Sequence, residues 1–266
     1  MVKIVTMKIA TWNVNSITAR IPHLTEWCRA AEPDVICLQE TKCVDETFPY
    51  QEVFDLGYHS AFYGQKSYNG VAILSKYEPQ DVVKGFPDDE IDSQKRLIAA
   101  TVNGVRVVNT YIPNGSVLGS DKFSFKLDWL QRLRRFFDEG YAQDEKVLLC
   151  GDFNVAPDAF DVWNPPAWEG HIHFSKPERA AIHFVKQWGF IDVFRKMNGD
   201  IREFSWWDYR AGAFQRNHGL RIDHIWTSAA LADLCTNCWI DKEPRKQERP
   251  SDHTPVVADF DVPLHR

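Results

Sequence analysis

Five short apolar runs in this chain each carry, at or near one end, a residue that can bind a cation or move a proton. Asp34-Val-Ile-Cys-Leu-Gln39 stops at Glu40, and Ile9-Ala-Thr-Trp12 stops at Asn13. Lys146-Val-Leu-Leu-Cys-Gly151 stops at Asp152, with Asn154 two residues later. Leu220-Arg-Ile222 runs into Asp223, and Ser251-Asp252-His253 opens the last run. Continuous apolar runs of this length read as strands buried on both faces, which calls for layers packed around more than one sheet. One aspartate after a strand is ordinarily a turn or helix-cap residue. Five such ends gathered at one edge would bury carboxylates, which is costly unless they are paired or bind metal. Oxygen ligands with one histidine favour magnesium or manganese over zinc. The chemistry suited to such a site is holding a phosphate and activating water.

Further strands are expected over residues 58–63, 71–74, 96–102 and 106–112, with the last running over 254–260. Adjacent runs joined by Asn103-Gly104 predict an antiparallel hairpin. Arg20–Ala31 and Glu178–Trp188 read as helices, as does the stripe Phe123, Leu127, Leu130, Leu133 and Phe137. The 266 residues contain no linker, repeat or low-complexity tract, so one domain over 1–266 is expected, with residues 1–6 as a short leader. The net charge of −6 argues against a protein that coats nucleic acid indiscriminately, but not against a local basic groove. No signal segment or membrane-length apolar run is visible, so a cytoplasmic chain with reduced cysteines is expected.

Seven blocks stand in one order: Trp12-Asn-Val-Asn15, Leu38-Gln-Glu-Thr-Lys42, Tyr68-Asn-Gly-Val-Ala72, Tyr111-Ile-Pro-Asn114, Gly151-Asp-Phe-Asn154, Gly219-Leu-Arg-Ile-Asp223 and Ser251-Asp-His253. This order resembles the exonuclease III / AP endonuclease family, within the endonuclease/exonuclease/phosphatase superfamily. The likeness spans Lys8 to Phe260 and is nearer the bacterial exonuclease III branch; Asn15 stands where animal members carry Asp. The resemblance implies an α/β four-layer sandwich: two packed, mainly antiparallel sheets flanked by helices. It implies a metal-dependent DNA-repair nuclease with 3′→5′ exonuclease, 3′-phosphatase or phosphodiesterase, and AP endonuclease activities. Magnesium is the implied cofactor, with manganese as the alternative. Glu40 would be the metal ligand, helped by Asn13, Asn15 and Asp252. Asp152 would be the general base, Asn154 would hold water or a phosphate oxygen, and Asp223 would orient and charge His253. Tyr111 would act at the leaving group, and Asn114 would bind phosphate.

Cations must hold the DNA backbone. Arg96, Lys122, Lys126, Arg210, Arg216 and Arg221 lie near the blocks, as does Asn69. In the resembled family, the positions of Trp206, Leu220 and Ile222 line a pocket for an extruded baseless sugar. His173 falls where some AP endonucleases have glycine, so a ring there is expected to select 3′ ends over continuous duplex. The expected partner is double-stranded DNA with abasic sites, nicks or 3′ blocks, and the expected state is a monomer. Two rival readings are another phosphodiesterase of the superfamily, acting on RNA or inositol or phospholipid substrates, and an inactive DNA-end-binding module.

Overall fold

The computed structural model describes residues 3–88 and 94–264. Twelve strands form among them: β1 Ile4–Asn13, β2 Val35–Gln39, β3 His59–Tyr63, β4 Val71–Ser75, β5 Gln80–Lys84, β6 Leu97–Val102, β7 Val105–Tyr111, β8 Val147–Asp152, β9 Ile191–Asp192, β10 Asp223–Thr227, β11 Cys235–Ile240 and β12 Val256–Pro263. The α-helices are α1 Ile17–Ala31, α2 Tyr50–Asp55, α3 Asp121–Gly140, α4 Pro165–Trp168, α5 Lys176–Lys186, α6 Val193–Asn198 and α7 Ala229–Ala232.

The strands make two six-stranded sheets, ordered β11-β12-β1-β2-β4-β3 and β5-β6-β7-β8-β10-β9. Their facing surfaces pack around Ile9, Cys37, Ile98, Val107, Cys150 and Ile225. On the outside of the first sheet, α1 brings Leu24 and Trp27 against Trp12 and Leu38. On the outside of the second, α3 and α5 bring Leu130, Leu133, Ile182 and Val185 against Val108 and Leu149. Helix, sheet, sheet and helix are the four expected layers.

Most pairings are antiparallel, but each sheet holds one parallel pair at its centre, β1 with β2 and β7 with β8. A parallel pair brings two strand C-termini to the same edge. In the first sheet this sets Asn13 beside Gln39, with Glu40 next; in the second it sets Tyr111 beside Asp152. The antiparallel strand β10 begins at that edge, with Asp223 opposite Asp152. The two centres therefore converge on one rim, which is why apolar runs with polar ends mark the site.

Two expectations need correction here. Residues 4–6 are no leader, since Ile4, Val5 and Thr6 pair with Pro263, Val262 and Asp261; residues 1 and 2 lie outside the described residues. The run from Leu220 becomes a strand only at Asp223, because Leu220 bridges instead to Val162 and Trp206. The fold also has edge strands that the sequence does not announce, such as β5, which is largely exposed and lacks an apolar pattern.

Candidate active site

Asn13 joins the two sheets at the rim. Its Nδ2 donates to Glu40 Oε1 and to Asp152 Oδ2, both at 2.9 Å. Its own carbonyl accepts from Ser251 Oγ at 2.7 Å, and that hydroxyl in turn accepts the His253 amide. Ser251 thus ties the Asp252-His253 loop to the end of β1.

His253 sits between two carboxylates, with Nδ1 2.8 Å from Asp223 Oδ2 and Nε2 3.7 Å from Asp152 Oδ2. Burial alone would lower its pKa, but Asp223, Asp152 and Asp252 outweigh that and raise it to about 10. It is an imidazolium at neutral pH. Asp152 is pushed up to about 7, first by burial, with Asp223 and Glu40 adding to it against His253 and Asn13. The Asn154 amide N donates to Asp152 Oδ1 at 2.9 Å, and Asn114 Nδ2 donates to Asn154 Oδ1 at 3.2 Å. Tyr111 is held well above its usual pKa by burial and by the Glu40 and Asp152 charges. The Arg96 guanidinium lies 4.6 Å from the centre of its ring.

Glu40 turns out of β2 with a left-handed φ of 52°. Burial raises its pKa, but Lys42 and Asn13 outweigh this and lower it. Lys42 Nζ lies 2.8 Å from Glu40 Oε2 and 2.5 Å from Asn15 Oδ1, and Asn15 Nδ2 donates to Asp252 Oδ1 at 3.0 Å. An ammonium group thus occupies the position where Glu40 and Asn15 converge, so these donors suit a cation.

The rim also holds more carboxylates than cations: Glu40, Asp152, Asp223 and Asp252 against His253 and Lys42. Asp223 Oδ1 is buried with no hydrogen-bond partner among the described residues. Oxygen donors, excess negative charge and an orphaned carboxylate oxygen fit a hard divalent cation. A second candidate ligand group is Asp152, Asp223 and His253, whose ligand atoms lie within 4.8 Å of one another.

Trp206 Nε1 donates to Asp252 Oδ2 at 3.0 Å, which places its ring beside the rim. Leu220 and Ile222 pack with it, together with Val162 and Phe174. Those two aliphatic side chains are fully buried, so of the expected trio only the tryptophan reaches solvent. His173 is buried next to this cluster, its ring centre 6.1 Å from that of Trp206. Its Nδ1 lies 2.7 Å from the Asn154 carbonyl oxygen and its Nε2 3.5 Å from Asn114 Nδ2. Burial and the nearby Lys126 lower its pKa to about 4, so the ring is neutral.

The expected DNA-binding cations divide into two groups. Lys122 is exposed, and with Asn69, Arg96 and Asn114 it lines a cavity of about 570 Å³ next to Tyr111. Arg210 and Arg216 are exposed on the loop after Trp206. Lys126 and Arg221 correct the expectation. Both are fully buried and ion-paired, Lys126 with Glu178 and Arg221 with Asp161 and Asp192, so neither can reach DNA. Lys42, Ser205 and Ser251 are site residues that charge and spacing alone did not single out, although Lys42 and Ser251 stand inside the quoted blocks. Ser205 Oγ donates to Asp223 Oδ2 at 2.6 Å.

The family profile described as "Endonuclease/Exonuclease/phosphatase family" matches residues 10–253. The exodeoxyribonuclease III of Haemophilus influenzae is 38% identical over 96% of this chain and 100% of its own. An AP endonuclease from Archaeoglobus fulgidus superposes with a TM-score of 0.93 at 41% identity, covering 96% of this chain and 100% of that one. The Neisseria 3′ phosphatase NExo, solved with a product DNA hairpin, gives 0.93 at 43% identity with the same coverage. The profile match, which covers most of the length, means that this chain belongs to the endonuclease/exonuclease/phosphatase family.

Proposed function

We propose that the protein is a divalent-metal-dependent DNA-repair nuclease. It would hydrolyse phosphodiester bonds at abasic sites and at free or blocked 3′ ends during base excision repair. The observation that carries this reading is a proton acceptor and a fixed cation side by side: Asp152, with a pKa of about 7, lies 3.7 Å from the His253 imidazolium.

Asp152 takes a proton from the attacking water, a role suited to a carboxylate whose pKa lies near the working pH. His253, kept charged by Asp223, faces a phosphate oxygen and stabilises the charge that builds there. Asn154 and Asn114 hold the phosphate and the water in line, and Tyr111 serves the oxygen that leaves. Glu40, Asn13, Asn15 and Asp252 would hold the metal, with magnesium preferred and manganese the alternative. When bound, the ion polarises the phosphate and lowers the cost of its added negative charge.

Arg96 and Lys122 on one flank, and Arg210 and Arg216 on the other, hold the DNA backbone of a duplex bound by a single protomer. Trp206, resting on Leu220 and Ile222, covers the sugar of an extruded residue. His173 narrows that mouth and biases the enzyme toward 3′ ends at nicks. All six cysteines are free, which suits a cytoplasmic enzyme, and among the described residues no helix is long and apolar enough to cross a membrane.

The test uses three labelled duplexes with Mg²⁺: an internal abasic analogue, a nick with a 3′-phosphate, and an undamaged 3′ end. Processing of the two 3′ ends, lost with EDTA and in Glu40→Gln, is expected. His173→Gly, at a position whose φ of 73° suits glycine, should raise the parent's weaker cleavage at the internal abasic site relative to its processing of the 3′ ends. Silence on all three with folded protein would move the substrate away from DNA, and no gain with His173→Gly would end the selector role.

A further inference from the structure

Lys126 has no exposed surface, yet its ammonium lies directly beneath the catalytic loops. An ammonium has three donors. Here they meet three acceptors on three separate segments: the Asn114 carbonyl at 3.1 Å, the Asn154 carbonyl at 2.7 Å and Glu178 Oε1 at 2.5 Å. The first lies in the loop after β7, the second in the loop after β8, and the third in the first turn of α5. Gly115 makes room for the lysine stem. Its φ is +88°, and a Cβ there would lie 3.0 Å from Lys126 Cδ.

Glu178 is fixed in turn. Its Oε1 accepts the His173 amide at 3.0 Å, and its Oε2 accepts Ser175 N at 3.1 Å and Ser175 Oγ at 2.5 Å. The carboxylate therefore caps α5 and anchors the His173 loop at once. A buried ion pair is a poor source of stability compared with apolar side chains of the same shape. Its position, bound to the backbone of two residues whose side-chain amides touch each other, suits a different task.

We infer that Lys126, anchored by Glu178, is a positioning residue that fixes the backbone of Asn114 and Asn154 so that both amides aim at the reacting phosphate, without itself touching DNA. This rests on the reading that those amides face the phosphate.

The test is the double variant Lys126→Met/Glu178→Gln, assayed on the nicked 3′-phosphate duplex with Mg²⁺ beside Asp152→Asn. The double variant removes one charge of each sign, so the local net charge and the electrostatic attraction for DNA are unchanged. A purely structural ion pair would then leave the kinetics of the folded protein untouched. The expected result is a folded variant whose kcat falls about 10- to 100-fold while KM changes little, the signature of misplaced groups. If the double variant does not fold, Glu178→Gln carries the test. It keeps the shape but weakens the anchor, and kcat should fall by less than that amount, again with KM unchanged. Parental kcat in whichever variant folds, with Asp152→Asn inactive, overturns the positioning role and leaves the site reading standing. An active Asp152→Asn overturns the site reading and this inference with it.

Discussion

Two clusters of buried charge stand at opposite ends of the Leu220–Asp223 segment, and they are balanced differently. Arg221 donates to Asp161 Oδ1 at 2.7 Å and to both oxygens of Asp192, at 3.2 and 2.7 Å. Arg195 adds a second cation on Asp161. Two cations thus meet two carboxylates, and both carboxyl pKa values are lowered because the Arg221 charge outweighs the effect of burial. At the rim, carboxylates outnumber cations, Asp152 is pushed up to about 7, and one oxygen of Asp223 has no hydrogen-bond partner among the described residues. The balanced cluster has no further use for an ion or a proton. The unbalanced one still needs both, and an unmet need of this kind marks a functional site more clearly than charge does.

Breaking the rim should have the largest effect, as a loss of activity without a loss of stability. Asp152→Asn keeps the shape but cannot take a proton, so kcat on the 3′-phosphate duplex should fall by about 10²- to 10⁴-fold. Its melting temperature without metal should not fall, since the change removes a buried carboxylate that burial disfavours. Calorimetry beside the kinetics checks this, and a matching loss of stability would make Asp152 a structural residue. Breaking the balanced cluster should do the reverse. Arg221→Met strands Asp161 and Asp192 without their buried partner and should cost about 3–5 kcal/mol of stability. Urea unfolding measures that loss, and a variant as stable as the parent would show that the cluster holds nothing together.

The sequence made the rim easier to read than the balanced cluster, for a physical reason. Asn13, Glu40 and Asp152 end apolar runs, and a parallel pair at the centre of each sheet turns linear order into spatial convergence. Charge in a sequence carries no such sign of burial. Lys126 and Arg221 look like surface cations until their partners, 52 and 60 residues or fewer away, are seen in space. Weak hints were present. Lys126 falls at helical spacing between the buried Phe123 and Leu130, and Arg221 lies between the buried Leu220 and Ile222. The Ser175-Lys-Pro-Glu178 box announces the start of α5, but not that its glutamate also binds a lysine. The edge strand β5 lacks the apolar pattern because it is largely exposed, with only Val83 packed against the core.

Acidity should separate the two clusters by sign, in a smaller effect read without metal. Asp161 and Asp192 have lowered pKa values when folded, so their stabilisation is present above the unfolded carboxylate value. It is lost as pH falls through the folded values, and the parent's melting temperature should therefore drop below about pH 4. Asp192→Asn should begin less stable at neutral pH and lose less on acidification. Asp152 has a raised value, so its ionisation costs stability, and that cost grows from about pH 4, the unfolded carboxylate value, up to its folded value of about 7. The melting temperature of Asp152→Asn, relative to the parent in EDTA, should accordingly rise across that interval and then level off. A flat difference from acid to neutral pH would mean that the rim holds Asp152 at an ordinary pKa, and the contrast between the two clusters would reduce to the count of their charges.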